Sequence, residues 1–305
     1  MPVFSPPPPA TDARALDHVL ARLARADAAP WLHQEVATRM AARLPVIRQP
    51  PTNWLDWGGF IGGGAAAVQA VWPQSQRSVA EPSAALAARS RAALQAPWWA
   101  WGQARRQASQ AVLVLPKVPA GQAQMLWSNL GLHTSPDPAA TLQQWHRALA
   151  VDGFVMFSSF GPDTLRELRA LYAGLGWPAP HPPFTDMHDI GDLLVHSGFA
   201  DPVMDQETLQ LTWSSAEALL AELRSLGGHL GPQRFAGLRT PRWRARLLQA
   251  LAGLADVQQD GQGRIRITFE VVYGHAYKPA PRPERSSVNT VSLDTLRDKL
   301  PKRVA

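Results

Sequence analysis

The chain has 305 residues, 46% of them hydrophobic and 18% charged, which is the composition of a folded globular protein and excludes a disordered chain. Its 30 Lys and Arg against 24 Asp and Glu give a formal net charge of +6. Half of that excess lies between Arg282 and Ala305, which predicts a solvated basic tail and argues against nucleic-acid binding. Because cysteine is absent, disulfides, thiol nucleophiles and cysteine-ligated metal sites are excluded.

The N-terminal segment begins with a proline-rich leader. Residues 5–10, SPPPPA, cannot form a helix or a central strand because proline lacks the amide donor, and we assign residues 1–11 to this leader. The segment has no basic stretch followed by a continuous apolar run, and no window approaches about 18 uninterrupted apolar residues. The sequence therefore predicts a cytoplasmic protein with no membrane span.

Two amphipathic helices are predicted before residue 52, where apolar residues recur at helical spacing. These residues are Leu16, Val19, Leu20 and Leu23, then Val36, Met40 and Leu44.

Short apolar runs alternate with helical patterns from there to about residue 180. The runs are NWLDW, RSVAE, AVLVLP, AQMLWSN and GFVMFSSF. Strands that alternate with helices form a parallel sheet covered on both faces, because parallel neighbours need crossover connections. The sequence therefore predicts a doubly wound, mostly parallel α/β domain over residues 12–279.

The order of elements changes after residue 180. Helical patterns near 214–228 and 240–254 form an insertion before the last strand, RIRITFEVVYGHAY. In that strand Ile265, Ile267 and Phe269 recur at period two, which predicts one buried face. The proline-rich KPAPRPERSS then leads into a basic, weakly structured tail that we assign to residues 280–305.

The segment TNWLDWGGFIGGG, residues 52–64, places five glycines directly behind the first predicted strand. Ligands of open α/β sheets bind beyond the carboxyl ends of the strands, where glycine lets the backbone turn tightly and approach them. Asp56 stands before the turn and can order the loop or accept a hydrogen bond from a ligand. Taken alone, the glycines are equally consistent with a structural turn.

Glu81 ends the second predicted strand, 25 residues after Asp56. In dinucleotide-binding folds an acid at this place accepts hydrogen bonds from the hydroxyls of a ribose. The loop is not a P-loop, fits the dinucleotide pattern poorly, and contains no lysine or arginine for a phosphate. A ligand with a ribose but no phosphate, such as S-adenosylmethionine, fits better.

Five segments carry a resemblance to known enzymes. WLDWGGFIG resembles the opening motif of class I S-adenosylmethionine-dependent methyltransferases. More specific are MLWSNLGLH (125–133), GFVMFSSFGPDTLRELR (153–169), FTDMHDIGDLLVHSGFADPVMD (184–205) and FEVVYGHAYKP (269–279). Together they resemble the biotin-pathway malonyl-[acyl-carrier protein] O-methyltransferase family, from about residue 31 to 279.

The resemblance implies a seven-stranded sheet with a reversed last strand, and methyl transfer from S-adenosylmethionine to the free carboxylate of a malonyl group on acyl carrier protein. The carboxylate is already a nucleophile and the sulfonium an activated donor, so alignment and desolvation supply the rate and no general base is assigned. The residues expected to line the cofactor are Asp56, Gly58, Gly62, Glu81, Ser128 and Asn129. Those expected on the substrate side are His133, Phe160 and Asp163, the last in the first turn of a helix that starts at Pro162.

The chain departs from the family pattern at four places, two of which are RADAAPWLHQ, where relatives carry a tyrosine-aspartate pair, and Gln124, where they carry an acid. The other two concern the cofactor directly. Phe60 replaces the middle glycine of the loop, and Ala111 stands where the family has an acid near the end of the third strand. A lost hydrogen bond to a ligand costs roughly 0.5 to 3 kcal/mol, so weakened cofactor binding is expected. Two alternatives follow: a non-catalytic binding or assembly protein on this fold, and an arginine-hydroxylase-like assembly factor, which FGPDTLREL and DIGDLL also resemble.

Two further groups favour structural roles. His188 and His196 lie eight residues apart on a predicted helix and are expected to face solvent or cap it, so no metal site is predicted. The aromatic cluster of Trp98, Trp99 and Trp101 favours packing over an acyl or partner surface. The sequence does not determine an oligomeric state.

Overall fold

The computed structural model describes residues 11–94, 111–232, 234–235, 237–257 and 263–281. The tryptophan cluster at 98–101 and the predicted tail beyond 281 lie outside these residues. The helices among the described residues are α1 (Ala13–Leu23), α2 (Trp31–Ala41), α3 (Gly59–Gly62), α4 (Ala65–Val71), α5 (Ala84–Leu94), α6 (Pro138–Ala148), α7 (Arg166–Gly174), α8 (Met187–His196), α9 (Ala216–Ser225) and α10 (Pro241–Ala252).

The strands form one sheet in the order β3-β2-β1-β4-β5-β8-β6, and the short β7 pairs with β8. They are β1 (Asn53–Trp57), β2 (Gln76–Glu81), β3 (Val112–Val114), β4 (Ala123–Ser128), β5 (Leu149–Phe160), β6 (Ala200–Trp213), β7 (Ala255–Val257) and β8 (Gly263–Tyr277). Strands β1 to β5 run parallel, and β8 is antiparallel to both β5 and β6. The predicted seven-stranded sheet with a reversed last strand is confirmed, with the short β7 added to it.

Strand order reverses between β1 and β4, because the chain leads outward from β1 to β2 and β3 and then returns to the other side of β1. The loops after β1 and β4 therefore diverge and leave a crevice at the carboxyl edge of the sheet.

Helix starts agree with local sequence. The side chains of Asp12, Asp137, Ser215 and Thr240 each accept a hydrogen bond from a backbone amide in the first turn of the helix that follows. Such caps satisfy amides that have no partner within the helix, and each contributes about 1 kcal/mol. The polar residues between predicted elements thus determine where α1, α6, α9 and α10 begin.

The core has one part on each face of the sheet. Alternate residues of a strand point to opposite faces, so Trp54 and Trp127 belong to one part and Leu55 and Leu126 to the other. Strand β8 was predicted to have one buried face, and this is wrong. Phe269 belongs to the core on one face of the sheet and Val272 to the core on the other, and Glu270 is buried as well, so both faces of β8 are covered.

The helix predicted to start at Pro162 begins instead at Arg166. The preceding backbone amides bond to β8: the Asp163 amide donates to Oε2 of Glu270 at 2.7 Å, and the Leu165 amide donates to the Thr268 carbonyl at 2.7 Å. Leu165 has a φ of 58°, which interrupts a right-handed helix at that residue. Across the described ranges, no helix is long and apolar enough to cross a membrane.

Candidate functional site

The glycine loop after β1 is a short helix, α3, with a left-handed residue on each side. Gly58 has a φ of 72° and Gly63 a φ of 65°, a conformation that glycine adopts without strain. A Cβ at Gly59 would lie 2.8 Å from both Nη2 of Arg77 and Oδ2 of Asp56. The loop therefore lies directly on these two side chains, and only glycine allows this approach.

Asp56 and Arg77 form a buried ion pair beneath the loop. Nε and Nη2 of Arg77 donate to Oδ2 of Asp56 at 2.9 and 2.6 Å, and the two side chains are only 11% and 2% exposed. Burial raises the pKa of Asp56, and the Arg77 guanidinium opposes that shift. Of the two roles predicted for Asp56, ordering the loop or meeting a ligand, this pairing with an arginine from β2 favours the first.

Glu81 lies on the other side of the same loop and is fully buried. Its Oε1 accepts a hydrogen bond from the Phe60 amide at 2.8 Å and another from Oγ of Ser90 at 2.5 Å. Its Oε2 is buried and has no partner among the described residues. Burial raises the pKa of Glu81 to about 7, although these two hydrogen bonds oppose the shift. One acceptor of this carboxyl is thus left unused next to the loop.

Asn129 fixes the loop from the side of β4. Its Nδ2 donates to the carbonyls of His33 and Gly62, each at 2.7 Å, and its Oδ1 accepts from Oγ of Ser158 at 2.7 Å. Both hydrogens of Nδ2 and one acceptor position of Oδ1 are thus used inside the protein. Asn129 therefore joins α2, the glycine loop and β5 at the carboxyl edge of the sheet.

A cavity of about 740 Å³ opens at this edge, and its lining falls into two groups. The first comes from the ends of β1, β2, β3 and β4 and includes Trp57, Gly58, Gly62, Pro82, Pro116 and Asn129. The second comes from α1, the loops after β4 and β5, the segment before α8 and the segment that follows α9. It includes Arg22, His133, Phe160, Leu165, Phe184 and Leu226.

The structure brings five of the predicted site residues to this cavity: Gly58, Gly62, Asn129, His133 and Phe160. Asp56, Glu81 and Ser128 are buried beneath its first group of residues and do not line it. Asp163 does not line it either, since its side chain points to Arg166, with the carboxylate and guanidinium 3.2 Å apart.

Neither Phe60 nor Ala111, the two departures expected to weaken cofactor binding, lines the cavity. The ring of Phe60 lies against the guanidinium of Arg89, 5.1 Å from the carbon of that group, and does not line the cavity. Ala111 precedes β3, so the assignment of this position to the end of the strand is wrong. Leu115 and Pro116 follow the strand and do line the cavity.

Two neutral histidines line the cavity. Burial lowers the pKa of His33 to about 4, and burial together with the neighbouring His33 lowers that of His133 to about 3. The Nδ1 atoms of both residues are buried and have no partner in the described part of the chain. The ring of His133 packs on Phe160 and Phe184, with centroids 4.6 and 5.6 Å apart.

Arg22 is a lining residue that the sequence did not indicate. Its Nη2 donates to the carbonyl of Arg224 at 3.0 Å and to that of Gly227, and it makes no ion pair with an acid of the described residues. Burial, together with the charge of Arg224, lowers its pKa. These bonds hold α1 against the segment after α9, so the two elements cover the cavity together.

The comparisons with known proteins now identify the family. The sequence profile described as "Methyltransferase domain" matches residues 20–201. The malonyl-[acyl-carrier protein] O-methyltransferase of Laribacter hongkongensis is 40% identical over 268 residues, which are 85% of this chain and 86% of that protein. The chain belongs to the malonyl-[acyl-carrier protein] O-methyltransferase family.

A second member of this methyltransferase family, from Gallionella capsiferriformans, is 37% identical over 90% of this chain and 93% of its own length. Among solved structures, YcgJ from Bacillus subtilis has a TM-score of 0.50 at 12% identity, and the match covers 79% of this chain and 98% of that one. That likeness concerns the fold alone. The family resemblance that the sequence motifs indicated is thus confirmed over most of this chain.

Proposed function

We propose that this protein transfers a methyl group from S-adenosylmethionine to the free carboxylate of a malonyl group on acyl carrier protein, a step in the synthesis of the biotin precursor. The observation that carries the proposal is the cavity at the switch point, with the glycine loop in one wall and Arg22 among apolar side chains in the other. Membership of a family whose relatives are named for this reaction supports it.

The first wall of the cavity fits the parts of S-adenosylmethionine. Gly58 and Gly62 present backbone with no side chain, and Pro82 and Pro116 offer apolar surface for an adenine ring at the ends of β2 and β3. Glu81 lies beneath this wall, and its unpartnered Oε2 would serve as the acceptor for a ribose hydroxyl once the carboxyl turns toward the cavity. We therefore assign the adenosyl group to this side.

Other acceptors on this side are already in use. Asp56 is paired with Arg77, and Oε1 of Glu81 holds the Phe60 amide and the Ser90 hydroxyl. A ligand thus meets fewer free acceptors than the number of acids suggests. We expect moderate cofactor affinity for this reason, and not because the Phe60 ring occupies the space.

The second wall binds and desolvates the acceptor. When bound, S-adenosylmethionine supplies a methyl group activated by the sulfonium. Phe160, Leu165 and Phe184 exclude water from the acceptor carboxylate, and Arg22 supplies the cation that orients it. His33 and His133 are neutral near pH 7, so they donate or accept hydrogen bonds without protonating the nucleophile.

Titration with S-adenosylmethionine is expected to stabilise the purified protein. A ligand at ~100 times its Kd that binds only the folded state adds about 3 kcal/mol to the free energy of unfolding. The melting temperature should therefore rise with cofactor concentration. Mass spectrometry of a malonyl-carrier acceptor should then record the gain of one methyl group. An unchanged melting temperature at millimolar cofactor, or the gain of one oxygen on a partner protein, would contradict the proposal.

Arg22→Met is expected to raise KM for a malonyl thioester roughly 10- to 100-fold, because a charge-assisted hydrogen bond to the carboxylate contributes about 1.5–3 kcal/mol. The Kd for S-adenosylmethionine should change little, since Arg22 belongs to the other wall. Arg25→Met removes an exposed arginine just after α1 and serves as the matched control. Equal KM values in the two variants would exclude this role for Arg22, and Arg22→Lys tests whether the charge alone suffices.

The cellular location and the partners of this protein stay predictions. We propose a cytoplasmic location, together with a carrier protein as the partner and no nucleic-acid partner, from the sequence features described above.

A further inference from the structure

The segment from Arg224 to Ala255 contains no acidic residue and no lysine. It contains six arginines, a charge equal to the formal net charge of the whole chain. They are Arg224, Arg234, Arg239, Arg242, Arg244 and Arg246. The helical insertion beside the cavity is therefore a strongly positive region of the protein, in addition to the basic segment after residue 281.

All of these arginines except Arg234 are exposed. Three of the exposed ones, Arg239, Arg242 and Arg246, we call the arginine face. Two of them are held by aromatic rings. The guanidinium carbon of Arg239 lies 4.5 Å from the centroid of Trp243, and that of Arg246 lies 5.6 Å from the centroid of Trp177. No member of the face makes an ion pair with a described acid. Cation–π contacts orient the guanidinium groups and leave their charge available to a partner.

A chain of aromatic contacts connects the arginine face to the cavity. Trp243 packs on Trp177 with centroids 5.0 Å apart, and Trp177 packs on Tyr172 at 5.3 Å. Tyr172 lines the cavity, and so does Arg224 at the start of the arginine-rich segment. A partner on this face thus lies next to the wall that binds the acceptor.

The surroundings of the arginine face also have the composition of a protein interface. Phe235 is 52% exposed and Leu238 is 98% exposed, and the guanidinium carbon of Arg239 lies 3.8 Å from the Phe235 centroid. Exposed apolar side chains among arginines and aromatics are typical of surfaces that bind proteins. An acidic protein is the occupant that such a surface selects, because only negative charge complements unpaired guanidinium groups.

We propose that the arginine face docks the acyl carrier protein through an acidic surface of that carrier, and so delivers the tethered malonyl group to the cavity. This inference rests on the proposed function. The face acts on the carrier and not on the acyl group, because its arginines lie outside the cavity lining. Its removal should therefore affect only substrates that are attached to a carrier.

The double variant Arg242→Glu/Arg246→Glu is expected to raise KM for the malonyl-carrier at least 10-fold. It should leave kcat unchanged, together with KM for a neutral malonyl-N-acetylcysteamine thioester. The KM of the unaltered protein for the carrier should also rise with salt, since the contact is electrostatic. The matched control is Arg48→Glu/Arg147→Glu, which makes the same charge change at exposed positions just before β1 and β5 begin, at the opposite edge of the sheet.

The outcomes separate the two proposals. If the control raises KM for the carrier as much as the test variant does, or if the test variant affects both thioesters equally, the docking proposal is wrong while the function stands. If the unaltered protein methylates neither thioester, the proposed function is wrong and the docking proposal falls with it. Thermal unfolding of both double variants checks that each one folds.

Discussion

Arg77→Met is expected to lower the free energy of unfolding by about 3–5 kcal/mol at neutral pH, because it leaves a buried carboxylate without its partner. Asp56 is 2% exposed and accepts both of its charged hydrogen bonds from Arg77. Its pKa is already raised by burial, and removing the guanidinium should raise it further. Denaturant unfolding of the variant and of the unaltered protein measures the difference.

The pH dependence gives a second readout for the same variant. An acid whose folded pKa lies above its unfolded value contributes stability that is present below the unfolded pKa and is lost as pH rises through the folded pKa. Arg77→Met should therefore lose more stability at pH 8 than at pH 5. Asp56→Asn/Arg77→Met should recover much of the loss, since neither charge remains.

Arg166→Met provides the control for a surface pair. Arg166 and Asp163 are 49% and 56% exposed, so breaking this pair should cost less than about 1 kcal/mol. If Arg77→Met costs no more than Arg166→Met does, the buried pair does not support the glycine loop. Because Gly59 lies against both charged groups, a large loss should also weaken binding of S-adenosylmethionine.

The fold could be predicted from sequence because its signals are local and repeated. Apolar runs such as NWLDW and GFVMFSSF became β1 and β5, and the glycines behind the first strand lie at the edge of the sheet where the cavity opens. The start of α7 could not be predicted from Pro162, because backbone amides there bond to β8, about 100 residues away in the chain. Local helix signals do not report such distant acceptors.

The polar groups of the site were harder to predict, since their roles depend on pairings between elements. Nothing in the run RSVAE indicated that its arginine, Arg77, bonds to Asp56 beneath the glycine loop. The two residues are 21 positions apart in the chain. The sequence predicted that Glu81 lies near a ligand, but it did not predict the direction of the carboxyl. Hydrogen bonds from the Phe60 amide and the Ser90 hydroxyl determine that direction. Arg22 and His33 went unnoticed because their helical patterns indicated only a buried apolar stripe.

Glu81 offers the second prediction of large effect, in which stability and cofactor binding change in opposite directions. Its folded pKa of about 7 lies above the usual 4.5 of a glutamate, so its ionisation opposes folding at neutral and alkaline pH. A shift of this size corresponds to about 3 kcal/mol. The stabilisation is complete below pH 4.5 and is lost as pH rises through 7.

Glu81→Gln is therefore expected to raise the free energy of unfolding at pH 8 by up to about 3 kcal/mol, and to flatten its change between pH 5 and 8. Glutamine keeps an oxygen that can accept from Phe60 and Ser90 without carrying a charge. Denaturant titrations at several pH values measure both effects. The same variant should bind S-adenosylmethionine roughly 10-fold more weakly, because an ionised acceptor for the ribose is lost.

Glu167→Gln supplies a control of opposite sign. Burial opposes ionisation of Glu167, but hydrogen bonds from the hydroxyl and amide of Thr268 outweigh it and lower its pKa. Its contribution to stability is present above its unfolded pKa and is lost as pH falls, so Glu167→Gln should destabilise the protein at neutral pH. If Glu81→Gln instead destabilises the protein at pH 8, burial of the ionised Glu81 carries no cost in stability. If the variant also leaves the affinity for S-adenosylmethionine unchanged, the free oxygen of Glu81 has no part in binding the ribose.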